Sequence, residues 1–312
     1  MNTRTATTIE EEVHSALQRA GCEASVHVSH IDDESREFGV EPDRTSVTAS
    51  TYKVAVALEV ACQIVDGELS ATQRVHIPAD EKRLGNGISG TRDEVDISVR
   101  DLMLLMMQVS DNTATDTLQA MVGTDRINAR LASLGLTETI VRLDCDGIIA
   151  EVMADLGGHA DELDDLQGGD PLGLGPDQIK AALAASPALA GETGNVSTAR
   201  DMTRLLRMIW TDTAGPAAAC DHVRTVMSHQ FAPHRLSTSY KDGPLISGKT
   251  GTFWGGIRNE VGVVDFRDGE RFAVAVFLRQ EGYDLRDAGA DAVIGEVARL
   301  AIDHLRHSSS PR

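Results

Sequence analysis

The run Val54-Ala55-Val56-Ala57-Leu58-Glu59-Val60-Ala61 is apolar nearly all the way round a helix. A helix of that kind is buried at the centre of a molecule instead of lying on its surface with one face in water. Its burial fixes whatever sits at its start, and what sits there is Ser50-Thr51-Tyr52-Lys53.

The rest of the chain reads as layers around that helix. Residues 9–20 place Val13, Ala16, Leu17 and Ala20 at helical spacing, and Ala24-Ser25-Val26-His27-Val28 then alternates like a half-buried strand. A turn at Asp32-Asp33-Glu34-Ser35 leads to a return strand, Glu37-Phe38-Gly39-Val40. From about 67 to 210 the pattern is mainly helical, as in Leu102, Leu105, Met106 and Val109, or Met202, Leu205, Leu206 and Ile209. The tail returns to strands at 244–249, 259–266 and 271–278, with Arg267-Asp268-Gly269-Glu270 as a hairpin turn, and closes with a helix over 287–306. Strands at both ends of the chain must share one sheet. The expected fold class is therefore α/β in the α+β sense: an antiparallel sheet built from both termini and flanked by helices, plus a mainly helical subdomain. The boundaries read as 1–49 with 211–312 for the sheet part and 50–210 for the helical part. Ligand sites in such an architecture fall between the two parts.

With 312 residues, 41% of them hydrophobic, the chain is long enough for one large domain or two intertwined subdomains. The net charge of -19 disfavours nucleic-acid phosphate and anionic membranes as partners. The start, Met1-Asn2-Thr3-Arg4-Thr5 before Glu10-Glu11-Glu12, carries no apolar stretch, so neither a secretory signal nor a membrane anchor is expected and the chain as written reads as cytoplasmic. Cys22, Cys62, Cys145 and Cys220 are scattered without metal or redox spacing and read as reduced core thiols.

Ser50 at the head of the buried helix is a candidate nucleophile, because unpaired N–H groups there favour an oxyanion. Lys53, three residues on, shares its face and is within reach of the hydroxyl proton. A charged ammonium is no base, so a second cation and burial are needed to lower its pKa. Two further strings follow in order: Ser110-Asp111-Asn112 and Lys249-Thr250-Gly251. Read singly, the first is a helix cap for 113–121 and the second a turn at the end of the strand 245–248.

The ordered trio resembles that of the penicillin-recognising serine enzymes, and the chain resembles the class A β-lactamases over most of its length. The resemblance implies that Ser50 forms an acyl-enzyme with Lys53 as base and Lys249 as the second cation. Ser110 becomes a proton shuttle, and Asn112 holds substrate or Lys53. Along the strand, Thr250 and Gly251 line the substrate, Thr252 offers its N–H as an oxyanion donor beside that of Ser50, and Arg258 aligns with an arginine directed at the substrate carboxylate. The alternative for Arg258 is a solvated strand-end charge. No metal or other cofactor is implied.

The resemblance breaks at the deacylation base. Class A enzymes carry a glutamate a few residues after Arg-Leu-Asp, but after Arg142-Leu143-Asp144 that position is Gly147, and Glu151 stands where an asparagine is expected. Asp146 and Glu151 are the neighbouring candidates for a substitute base. The segment 150–194 is an enlarged version of the family's omega loop, acidic and glycine-rich, and reads either as a solvated excursion or as a lid carrying His159. It lacks calcium-loop spacing. Three functions stay open: a hydrolase of a β-lactam or related amide or ester, a transacylase or esterase that passes the acyl group to an amine or alcohol, and a non-catalytic β-lactam-binding domain. The partner in each case is a small-molecule acyl substrate, with an amine acceptor in the second. A cell-wall peptidase is disfavoured by the missing export signal.

Overall fold

Thr8 opens the first helix with a reciprocal cap. Its hydroxyl accepts the Glu11 N–H while the Glu11 carboxylate accepts the Thr8 N–H, satisfying two donors that a helix start leaves orphaned. The structure is a computed structural model that describes residues 8–158, 175–231, 234–240, 243–281 and 286–308. His159 and the acidic string to Asp165 lie outside the described residues.

In chain order the elements are helix α1 (Ile9–Arg19) and strands β1 (Cys22–His30), β2 (Glu37–Val40) and β3 (Ser46–Val47). A 3₁₀ turn, Ala49–Tyr52, runs directly into α2 (Lys53–Val65). Strands β4 (Arg74–Ile77) and β5 (Val95–Ser98) precede α3 (Val99–Gln108), α4 (Asn112–Val122), α5 (Thr124–Ser133) and α6 (Cys145–Asp155). After these come α7 (Pro176–Ala185), α8 (Pro187–Ala190), β6 (Val196–Ser197), α9 (Ala199–Trp210) and α10 (Ala217–Ser228). Strands β7 (Leu245–Phe253), β8 (Ile257–Asp265) and β9 (Arg271–Gln280) and the final helix α11 (Ala288–Ser308) complete the chain.

The main sheet has the order β2-β1-β9-β8-β7, with every neighbouring pair antiparallel. The two termini therefore build one sheet, as the strand pattern requires. One face packs against α1 and α11 through Val26, Val28, Val274 and Val276, which meet Val13, Leu17, Val297 and Ala301. The other face belongs to the larger core with α2, α3, α9 and α10. Because both faces are covered, β8 is buried from Ile257 to Val264 and shows none of the alternation of a half-exposed strand.

Helix α2 is buried from Lys53 through Gln63, matching its all-round apolar run. Each fully buried aliphatic side chain there contributes roughly 1.5–3 kcal/mol. That anchorage lets the turn ahead of it hold a strained backbone.

Three details differ from the sequence expectation. Ser50 sits in the 3₁₀ turn and not in the α-helix proper. The strand expected to end at Lys249 continues to Phe253, so Lys249-Thr250-Gly251 lies inside β7, held in register by Ile257–Val261. The pairs β3–β6 and β4–β5 are two and four residues long, too short for a readable period. All four cysteines are free and buried. Among the described residues no helix is long and apolar enough to cross a membrane.

Candidate active site

Two asparagines fix the turn that carries Ser50. Asn259 on β8 donates its amide to the carbonyls of Val47 (2.8 Å) and Thr48 (3.1 Å), and the Asn195 carbonyl accepts the Thr48 N–H at 3.0 Å. The Thr51 hydroxyl donates to the Thr48 carbonyl at 2.7 Å. Ala49, held between them, has φ 44, a left-handed conformation that a non-glycine residue keeps only where its surroundings impose it. Ser50 is half-buried, and among the described residues its N–H has no acceptor and its hydroxyl no hydrogen-bond partner. An unpaired N–H beside a hydroxyl is what an oxyanion site requires.

Strand β7 passes directly against this turn. A Cβ at Gly251 would stand 2.8 Å from the Thr48 carbonyl oxygen and 3.1 Å from both the Ala49 Cβ and the Ser50 nitrogen, so only glycine permits the approach. This contact brings the Lys249-Thr250-Gly251 string to Ser50.

Ser110 joins the two lysines. Lys53 Nζ donates to the Ser110 carbonyl at 2.9 Å, to its hydroxyl at 3.3 Å and to Asn112 Oδ1 at 2.8 Å. Lys249 Nζ donates to the same Ser110 hydroxyl at 2.9 Å and to the Thr250 carbonyl at 2.8 Å. Ser110 has φ 61, a second left-handed non-glycine residue, and this turn aims both its carbonyl and its hydroxyl at the amines. The cap of α4 falls to Asp111, whose Oδ1 accepts the Ala114 N–H at 3.0 Å, so the capping and the polar roles of the Ser-Asp-Asn string are divided among its members. Asn112 reaches Lys53 on one side and donates to the Leu84 carbonyl at 2.7 Å on the other.

Both lysines are fully buried, and burial is the first cause that lowers each pKa below 10.5. Like-charge repulsion between the two amines is mutual. Besides burial, the Lys53 and Arg235 charges lower Lys249, while Cys145, Asp116 and Asp111 act on Lys53 in the opposite sense to its burial.

Arg258 lies directly across the ladder from Thr252, yet it is only 2% exposed. Its Nε donates to Gln280 at 2.7 Å and a terminal nitrogen to Asp291 at 2.9 Å, so this guanidinium is not a solvated strand-end charge. The guanidinium that touches Thr252 belongs to Arg235. Its terminal nitrogens donate to the Thr252 hydroxyl and to the carbonyls of Gly251 (3.1 Å) and Asn259 (2.6 Å), and its Nε to Asp291 at 2.8 Å. Both arginines reach the Asp291 carboxylate beneath exposed Thr252. Glu260, buried alongside, accepts from the Leu236 N–H (2.7 Å) and from Gln230 (3.0 Å), and burial raises its carboxyl to about 7.

Neither candidate base joins the Ser50–Lys53–Ser110–Lys249 group by a hydrogen bond or ion pair among the described residues. Asp146 is about half exposed and stands 3.9 Å from Arg83; Glu151 is half-buried on α6. Gly147 N–H is spent on the Asp144 cap at 2.8 Å. The α6 residue that does reach the lysine neighbourhood is Cys145, whose thiol lies 3.2 Å from the Tyr52 hydroxyl and whose N–H donates to Asp116 at 2.7 Å. In the described parts of 150–194, Val152, Leu156, Leu183 and Leu189 pack as one cluster with Ala49 and Ile257, with Phe253, Trp254 and Leu84 at its margin. This part of the segment is a docked wall beside the Ser50 turn and not a solvated excursion.

A family model described as the β-lactamase enzyme family matches residues 8–305. The β-lactamase regulatory protein BlaB of Streptomyces cacaoi is 29% identical over 319 residues, spanning 95% of this chain and 96% of that protein. A β-lactamase of Sphaerobacter thermophilus shares the fold at TM-score 0.72 and 23% identity, over 96% of this chain and 98% of its own. A variant of the last common ancestor of Gram-negative class A β-lactamases does so at TM-score 0.75 and 20% identity, over 97% and 100%.

Proposed function

The chain belongs to the β-lactamase enzyme family, and we propose that it forms an acyl-enzyme through Ser50 on a β-lactam or a related amide or ester. The observation that carries this reading is the meeting of Lys53 and Lys249 on the Ser110 hydroxyl beside a serine whose N–H is unpaired. Lys53, whose pKa burial lowers, takes the proton as Ser50 Oγ bonds to the carbonyl carbon, and the Ser50 N–H, with that of Thr252, receives the developing oxyanion. Collapse breaks the amide or ester bond. The leaving nitrogen or oxygen takes its proton from Ser110, which is resupplied by whichever flanking lysine is protonated. The exposed Thr252 hydroxyl, which accepts from the buried Arg235 guanidinium, keeps its own hydrogen to donate to a substrate carboxylate.

The second reading, transfer of the acyl group to an amine or alcohol, is favoured by Gly147 at the glutamate position and by the separation of Asp146 and Glu151 from the lysine network. An amine is its own nucleophile and needs no carboxylate to activate water. A reporter cephalosporin mixed rapidly with the protein tests both. The expected trace is a burst of one equivalent of opened lactam per chain, then slow turnover that added amines accelerate. A linear trace at full speed from the start contradicts the slow-deacylation part, and no opening at all contradicts the whole.

A further inference from the structure

Lys53 is enclosed by Tyr52 on its own turn, by Ser110, by Asp111, Asn112 and Asp116 of the α4 region, by Cys145 of α6 and by Lys249 of β7. Both nearby carboxylates are already spent. Asp111 accepts from the Ile88 N–H at 2.6 Å and the Ala114 N–H at 3.0 Å; Asp116 accepts the first two N–H groups of α6, at 2.7 Å from Cys145 and 3.1 Å from Asp146. Cys145, 6% exposed, therefore stands at a junction. Its backbone is tied to Asp116 and its sulfur to the Tyr52 hydroxyl, while Tyr52, 1% exposed, immediately precedes Lys53.

We propose that Cys145 is a positioning residue for Lys53: an uncharged thiol that seats Tyr52 and the adjoining lysine while withholding the negative charge that would keep a proton on the amine. This inference rests on the reading of Lys53 as the base for Ser50. Burial raises the Cys145 thiol to about 11, so around neutral pH the sulfur is protonated and its attraction for the lysine charge is switched off. A carboxylate at the same place would act in the opposite sense throughout that range.

The test is an NMR titration of the full-length protein carrying ¹³Cε-lysine, with the Lys53 signal assigned by its loss in Lys53→Met. The expected midpoint for the unaltered protein lies below 10.5. Cys145→Asp is expected to raise it by about one unit or more, and Cys145→Ser to leave it close to the original. An unmoved midpoint in folded Cys145→Asp overturns the inference. If that variant does not fold, Cys145→Ala against Cys145→Ser decides: the alanine variant acylates Ser50 about tenfold more slowly and serine recovers most of the loss, whereas equal rates overturn the positioning role. If no probe acylates Ser50 in any variant, the proposed function fails while the titration still reads the inference.

Discussion

Lys249 Nζ lies 2.9 Å from the Ser110 hydroxyl, the same oxygen that Lys53 Nζ approaches to 3.3 Å. One hydroxyl thus bridges two buried amines contributed by elements almost 200 residues apart in the chain. Proton movement between them runs through Ser110, and its loss leaves both amines in place without the bridge. Ser110→Ala is expected to slow acylation of Ser50 by about a hundredfold with little change in thermal unfolding. A loss below twofold, read from the burst rate with a reporter cephalosporin, removes Ser110 from the proton path.

Glu260 gives the stability a defined pH dependence. Its carboxyl is raised from 4.5 to about 7 in the folded protein. Between those values the folded chain holds a proton that the unfolded chain has released, so the Glu260 contribution to stability is complete below 4.5 and is lost as pH rises to about 7. Asp116, raised from 3.8 to about 6, acts in the same direction over its own window. Glu260→Gln should flatten the decline most clearly between about pH 6 and 7, where Asp116 no longer contributes. Urea midpoints measured across pH 4.5–7.5 check this, and an unchanged slope in the variant contradicts it.

The two arginines beneath Thr252 separate by phenotype. Arg258, buried against Gln280 and Asp291, is expected to cost about 2 kcal/mol of stability when changed to methionine, because polar partners lose their hydrogen bonds. Arg235→Lys, which loses the planar fork that spans Thr252, Gly251 and Asn259, is expected to raise KM about tenfold for substrates bearing a carboxylate. Denaturant melts and steady-state kinetics on a carboxylate-bearing β-lactam and its ester distinguish them. If the ester suffers equally in Arg235→Lys, the carboxylate role is wrong.

Gly147→Glu tests the missing base. A Cβ there meets Asp144 Oδ1 at 3.1 Å and Leu143 carbons at 3.3 Å, close contacts that a shift of a few tenths of an ångström relieves. The substitution is expected to shorten the acyl-enzyme lifetime at least about tenfold, since a positioned general base is worth about two orders of magnitude or more. An unchanged lifetime, measured by decay of the adduct mass, shows that more than this one side chain separates the site from fast hydrolysis.

Much of this site is legible in the linear sequence because three short strings carry it, each adjoining a strongly patterned run. The all-round apolar run after Lys53 declares a buried helix, and the strands of the tail declare the sheet. Arg235 has no such flag. It stands in a 3₁₀ segment at φ 64, between His234 and Leu236, and becomes meaningful only where β7 and β8 pass it. Cys145 reads as core filler because its partner Tyr52 is 93 residues away. The extension of β7 through Gly251 is hidden because a glycine flanked by threonines reads as a turn until its ladder partner Asn259 is known.

Intact-protein mass spectrometry after mixing with benzylpenicillin tests the central claim most directly, with unaltered protein and Ser50→Ala run side by side and the adduct mapped by peptide fragmentation. The account predicts one added penicilloyl mass per chain, located on Ser50, persisting over the observation time and absent from Ser50→Ala. An adduct of the same mass on Ser50→Ala, or one mapped to another residue, contradicts the account.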